Sequence, residues 1–148
     1  EPMVLLQPPD TDFERRIRAS FARQGAMALI GATLGRVEPG LVEIALPFRP
    51  DLTQQHGYFH AGMTSAIADS AGGYAANTLF PADSSVLTVE FKINLMSPAK
   101  GDVMIARGRV VKSGRTLVIT QVEISMLDGG VEKDCALMQQ TTFCQMPK

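Results

Sequence analysis

The stretch "QQHGYFHAGMTSAIADSAGGYAANTLF", residues 54–80, decides the fold. From Leu52 to Ala82 the one formally charged residue is Asp69. A helix without a charged face has no side to offer water, so it is expected to be buried. Ala61-Gly62, just after His60, marks where this long helix begins. Residues three, four and seven away share a helix face. For Asp69 these are Gly62, Ser65, Ala66, Gly72, Gly73 and Ala76, all small. The opposite side carries His60, Met63, Ile67, Ala71 and Tyr74, large enough to anchor a core. Gly72 and Gly73 each cost roughly 1 kcal/mol against alanine in a helix interior. A close neighbour would offset that cost: a second copy's helix, a strand or a slender ligand.

The remainder of the chain supplies what wraps such a helix. "VLTVEFKINLMSP" alternates, with Leu87, Val89, Phe91, Ile93 and Leu95 on one face. Thr88, Glu90, Lys92 and Asn94 fall on the other. Three more strands follow in residues 102–145, divided at Lys112-Ser113-Gly114 and at Asp128-Gly129-Gly130, which is good hairpin chemistry. Upstream, "LIGATLGRVEPGLVEIALPF" reads as two strands about the turn Glu38-Pro39-Gly40. Residues 11–24 read as a first helix. Thr11 and Glu14 fit a capping box, Gly25 fits the stop, and Phe13, Ile17 and Phe21 form one apolar stripe with arginines on the solvated faces. Antiparallel strands in runs, with one central helix, give an α+β fold: about six strands curled around the long helix, with an extra N-terminal helix.

At 148 residues the chain reads as one domain, 1–148, long enough to bury a core. Its 45% apolar and 20% charged residues are those of a globular protein, not a disordered one. A net charge of -1 gives no bulk electrostatic reason to bind nucleic acid or an anionic membrane. No apolar run reaches the roughly 20 residues of a membrane span. "EPMVLLQPPD" lacks the basic start of a signal peptide and reads as an extended lead-in. Cys135 and Cys144 sit nine residues apart on one extended stretch, about 30 Å, too far to bridge. Reduced thiols and a cytoplasmic setting are the expectation.

The chemistry centres on residues 54–69. The two histidines of the chain, His56 and His60, stand four apart. Gly57 argues against one helix through both, and no third ligand follows, so no metal site is expected. A helix start after His60 offers unpaired N–H groups and the positive dipole end, suited to a carbonyl oxygen becoming an oxyanion. Nucleophile-elbow, dinucleotide and P-loop motifs are absent. Asp69 is either a structural carboxylate, bonded to a backbone amide or an arginine, or a working one.

"HAGMTSAIADSAGGYAA" followed by "LTVEFKINLMSPAKGD" resembles the hot-dog-fold acyl-CoA thioesterases of the phenylacetate-pathway (PaaI) type, over roughly residues 28–145. The resemblance implies the hot-dog fold and hydrolysis of an acyl-CoA thioester to free acid and CoA, with no cofactor. It carries over residue by residue. His60 matches the family histidine and Gly62 the second glycine of its His-Gly-Gly. Ala61 replaces the first glycine, whose backbone N–H is the working group. Asp69 matches the acidic residue that acts as base or nucleophile. Gln54 falls at the amide that grips the carbonyl, and Thr88 where some members place a water-holding serine. Arg115, Lys112 and Arg109 are candidates for the CoA phosphates, or a solvated hairpin.

His60 and Asp69 lie about 13 Å apart along a helix and half a turn round, too far to meet on one carbonyl. The resemblance resolves this with a homodimer whose sites take His60 from one subunit and Asp69 from the other, the dimers pairing into a tetramer. Medium-chain or aromatic acyl groups fit Phe59, Tyr74 and the methionines, and the sequence does not choose between them. Two other readings stand beside hydrolysis. One is a hot-dog dehydratase of hydroxyacyl thioesters, whose motif is not found here. The other is a non-catalytic acyl-CoA-binding protein, which would need an output module. His56 receives no role beyond loop packing or a pocket edge.

Overall fold

The structure, a computed structural model, describes residues 6–148. The first half of the expected extended lead-in, residues 1–5, lies outside them. Two short helices, α1 (Phe13–Ala22) and α2 (Gly25–Ile30), precede the hairpin β1 (Thr33–Glu38) and β2 (Leu41–Pro47). A 3-10 turn, Pro50–Leu52, leads to the long helix α3 (Ala61–Asn77). Four strands follow: β3 (Ser85–Leu95), β4 (Val103–Ser113), β5 (Leu117–Asp128) and β6 (Val131–Gln145). All pairings are antiparallel in a six-stranded sheet ordered β1-β2-β4-β5-β6-β3. The sheet packs through β2 to β6 onto α3 in the hot-dog arrangement. Among the described residues no helix is long and apolar enough to cross a membrane.

The C-terminal half of α3 is buried almost throughout, from Ala71 to Thr78. Ile67, Ala71, Tyr74 and Ala75 meet Ile44, Met104, Val122 and Met138 of the sheet. Apolar burial of this kind supplies most of the folding free energy. The close neighbour foreseen for the glycines is a strand, and it is found at one of the two. A Cβ on Gly72 would stand 2.8 Å from Thr120 Oγ1 and 3.0 Å from Val122 Cγ2, and would also strike Gln140 Oε1. A Cβ on Gly73 would meet nothing within 4 Å. A further glycine, Gly108 on β4, lets the helix backbone itself settle onto the sheet: a Cβ there would stand 2.8 Å from Gly72 N.

Four expectations need correction. The first helix is shorter than residues 11–24, and no side-chain cap bond forms. Asp10 takes that place, accepting the Asp12 N–H at 2.9 Å, while Glu14 pairs with Arg18 at 3.1 Å. Gly25 does not end the first helix; it opens α2, which stops at Gly31, φ 82°. Not every α1 arginine is solvated. Arg16 is largely buried against the end of α3, donating to Asn77 Oδ1 at 2.6 Å and to the Asn77 and Phe80 carbonyls.

The fourth correction bears on the site. The alternation of residues 86–95 is broken by a bulge between Thr88 and Glu90, where Thr88 pairs with Thr142 and Glu90 with Thr141. One extra residue, Val89, moves the strand's register by one side. Upstream of it the even residues Val86 and Thr88 face α3, and downstream Ile93 packs on the core. Thr88 therefore shares the helix-facing side with Ile93, and Leu87 and Val89 are exposed (49% and 59%).

Candidate active site

α3 begins where its N-cap, His60, turns out of extended backbone (φ -64°, ψ 138°). His60 N–H donates to the Leu52 carbonyl at 3.0 Å, which ties the cap to the preceding 3-10 turn. Its Nδ1 accepts the Gly62 N–H at 2.8 Å. An accepting Nδ1 carries no proton, so the neutral ring holds its proton on Nε2. Among the described residues the Ala61 N–H has no hydrogen-bond partner.

Gln54 is fixed in the loop before this cap. Its Oε1 accepts the N–H of His56 at 2.6 Å and of Tyr58 at 3.3 Å. Both partners are donors, so the amide has one admissible orientation. Its Nε2 is left with no partner among the described residues. Gly57, φ 84°, makes the turn that brings these N–H groups round. Gln54 and Ala61 both line a cavity of about 510 Å³, with Tyr58, Phe59, Met96 and Cys135. Burial, with the Asp134 charge adding, pushes the Cys135 thiol up to about 11, so it holds little thiolate near neutrality.

Asp69 lies in the middle of α3 and borders a different cavity, of about 360 Å³. Among the described residues no arginine or backbone amide holds it. Its Oδ1 accepts the Thr88 hydroxyl at 2.6 Å and the Gln140 Nε2 at 2.7 Å. Gln140 also reaches the Asp69 carbonyl at 3.0 Å, and its own Oε1 accepts the Thr120 hydroxyl at 2.7 Å. Gln140 is 1% exposed and Thr120 fully buried. Among the described residues Oδ2 has no partner, so one oxygen is immobilised and the other is open for chemistry. Sequence reasoning missed Gln140. Its signal was present: on β6 it keeps the inward parity of Ala136 and Met138, where a long amide needs a reason.

The structure thus brings Thr88 to Asp69, Gln54 to Ala61, and His60 to Gly62, but it keeps Asp69 and Ala61 on separate cavities of one chain. Nine residues of continuous α3 between His60 and Asp69 span about 13 Å. Arg109, Lys112 and Arg115 are exposed, on β4 and its turn into β5. Among the described residues none enters an ion pair. They lie where α3 ends: Val110 N–H bonds the Gly40 carbonyl, and Gly40 N–H bonds Thr78 Oγ1 at 2.8 Å. Within one chain they are remote from Ala61. His56 is exposed and contributes its backbone N–H only. Among the described residues no three His, Cys, Asp or Glu side chains gather as a metal site would require.

A buried helix in a curled antiparallel sheet defines a hot-dog protein. The thioesterase superfamily profile matches residues 56–133, and the chain belongs to that family. Human acyl-coenzyme A thioesterase 13 is 30% identical over 105 residues, covering 70% of this chain and 74% of that protein. Two Saccharolobus solfataricus proteins with provisional esterase names are 35% and 30% identical, and the matches span 65% and 66% of their length. Among solved structures, a thioesterase family protein from Silicibacter pomeroyi superposes with a TM-score of 0.90 at 42% identity, over 91% of this chain and 99% of that one. The Escherichia coli PaaI protein, at 18% identity and a TM-score of 0.79 over 92% and 94% of the two chains, shares the fold.

Proposed function

We propose that this chain hydrolyses acyl-CoA thioesters, in sites shared between two copies. The observation that carries the reading is the half-occupied carboxylate of Asp69: Oδ1 held by Thr88 and Gln140, Oδ2 open to a cavity. A carboxylate so held can take a proton from water or attack a carbonyl itself. Its complement is the start of α3. There the Ala61 N–H and the Gln54 Nε2 are both unspent donors, and they border one cavity. Donors fixed before the reaction stabilise charge that develops on a thioester oxygen. His60 supports them by binding the Gly62 N–H and holding the first turn.

In this reading the carbonyl rests on Gln54 and Ala61 of one subunit, and Asp69 of the other takes a proton from the water that attacks it, or adds to it directly to form a mixed anhydride that water then opens to the free acid. CoA leaves as the thiol once protonated. Arg109, Lys112 and Arg115 are the cations for its phosphates. A medium-chain or aromatic acyl group enters the remaining space. The dimer's two-fold symmetry yields two equivalent sites, and a pair of dimers is the expected assembly.

The test is complementation. His60→Ala and Asp69→Asn homodimers are each expected to be nearly inactive. Refolded together, half the dimers are mixed, and each has one intact site, so about a quarter of wild-type thiol release returns. A mixture as inactive as its parents, despite subunit exchange confirmed by mass, overturns the shared site.

A further inference from the structure

The cavity beside Asp69 has a second wall that does not come from the region matched by the family profile. Ser20 closes one side from α1, and Gln24 does so from the N-cap position of α2. They are joined to α3 through Tyr74: Gln24 Nε2 donates to Tyr74 Oη at 2.8 Å, and Ser20 Oγ lies 3.0 Å from the same oxygen. Ser70 donates to Gln24 Oε1 at 3.4 Å. Phe21 packs its ring on Tyr74, centroids 6.3 Å apart, which holds the pair in place.

The bonds within this cluster leave protons unused. Gln24 Nε2 has two protons and uses one on Tyr74. Of the two hydroxyl protons on Ser20 and Tyr74, one is used between them and one is left. Two protons thus remain in a wall of the Asp69 cavity anchored at Tyr74, five residues or about 7.5 Å of helix rise beyond Asp69. Gly73 lies between, with nothing within 4 Å of where a Cβ would be, so the floor from Asp69 to the donors is open. Asp69 is the one charged residue of the lining, and its carboxylate opposes a second anion.

We infer that Ser20, Gln24 and Tyr74 form a polar end to the acyl pocket, and that the preferred acyl group carries a neutral oxygen, a hydroxyl or ketone, at its far end. This rests on the hydrolytic reading above for the orientation of the acyl group, not for the existence of the pocket. Spare donors facing an apolar terminus would lose water and gain nothing, so a plain chain is selected against.

Two isosteric pairs test it. Thiol release is compared for 6-hydroxyhexanoyl-CoA and heptanoyl-CoA. Binding is measured by calorimetry for the unhydrolysable thioethers S-(6-hydroxyhexyl)-CoA and S-heptyl-CoA. The wild type is expected to favour the hydroxyl partner about fivefold in both, the worth of one added hydrogen bond, and mainly through KM. Gln24→Leu is expected to bring both ratios to about one or below, and Ser20→Ala, a smaller change, to lower them in the same direction. Equal hydrolysis and equal binding of the two partners by the wild type overturn the polar end and leave the thioesterase reading standing. A ratio that Gln24→Leu and Ser20→Ala leave unmoved also overturns it. Selective binding with no hydrolysis of either thioester keeps the polar end and overturns the reaction.

Discussion

The start of α3 and its middle are built in different ways. At the start the side-chain hydrogen bonds are local. Gln54 holds His56 and Tyr58, and His60 holds Gly62, all within four residues. At Asp69 the partners come from β3 and β6, 19 and 71 residues away, and Thr120 of β5 stands behind them. A local device can be completed by a few residues folding on themselves. A long-range one exists only when the sheet has closed around the helix, so it reports on the whole fold.

That contrast can be tested hard. Asp69→Asn keeps an oxygen for Thr88 and Gln140, so the fold should survive. Thiol release should still fall at least about a hundredfold, the low end for losing a positioned base. An active Asn variant with an unchanged melting curve would remove the chemistry from the middle of the helix. Gly72→Ala comes next. It pushes a methyl into Thr120, Val122 and Gln140 and is expected to cost about 1–3 kcal/mol in urea unfolding. A neutral result would mean that β5 and β6 yield more easily than their contacts imply.

Gln140→Leu separates support from chemistry. It removes one charge-assisted bond to Asp69 without touching the helix start, and should lower turnover about tenfold. An equal loss on Thr88→Val would assign the effect to fixing Oδ1 in general. The smallest effect is at the adjacent glycine. Gly73→Ala meets no atom and replaces a poor helix former, so it should raise stability by up to about 1 kcal/mol. Opposite signs at Gly72 and Gly73 would fix which side of the helix the sheet grips.

Most of the helix start was legible because its signals are contiguous: a lone Asp69, Ala61-Gly62 after His60, a loop glycine at 57. The succession of strands about the long helix and the hairpins at 112–114 and 128–130 followed from turn chemistry and alternation. What escaped was set by partners distant in sequence. The bulge at Val89 leaves no mark in a clean alternating pattern, and it alone brings Thr88 inward. Gln140 is ordinary until its strand is paired. Arg16 looks like any surface arginine until the end of α3 offers it carbonyls. α2 was hidden by Gly25, whose usual meaning is termination.

The direction of the bonds around Asp69 restricts proton traffic. Thr120 gives to Gln140, and Gln140 and Thr88 both give to the carboxylate. Gln140 gives besides only to the Asp69 carbonyl and to Thr88 Oγ1, whose own proton points at the carboxylate, and an amide does not pass a proton onward. The network is a terminus, not a wire. Under the proposed chemistry, a proton taken up on Oδ2 can depart only through the opening by which it came. The natural receiver at that opening is the departing sulfur, so acid and base work on one turnover would fall to a single oxygen acting twice.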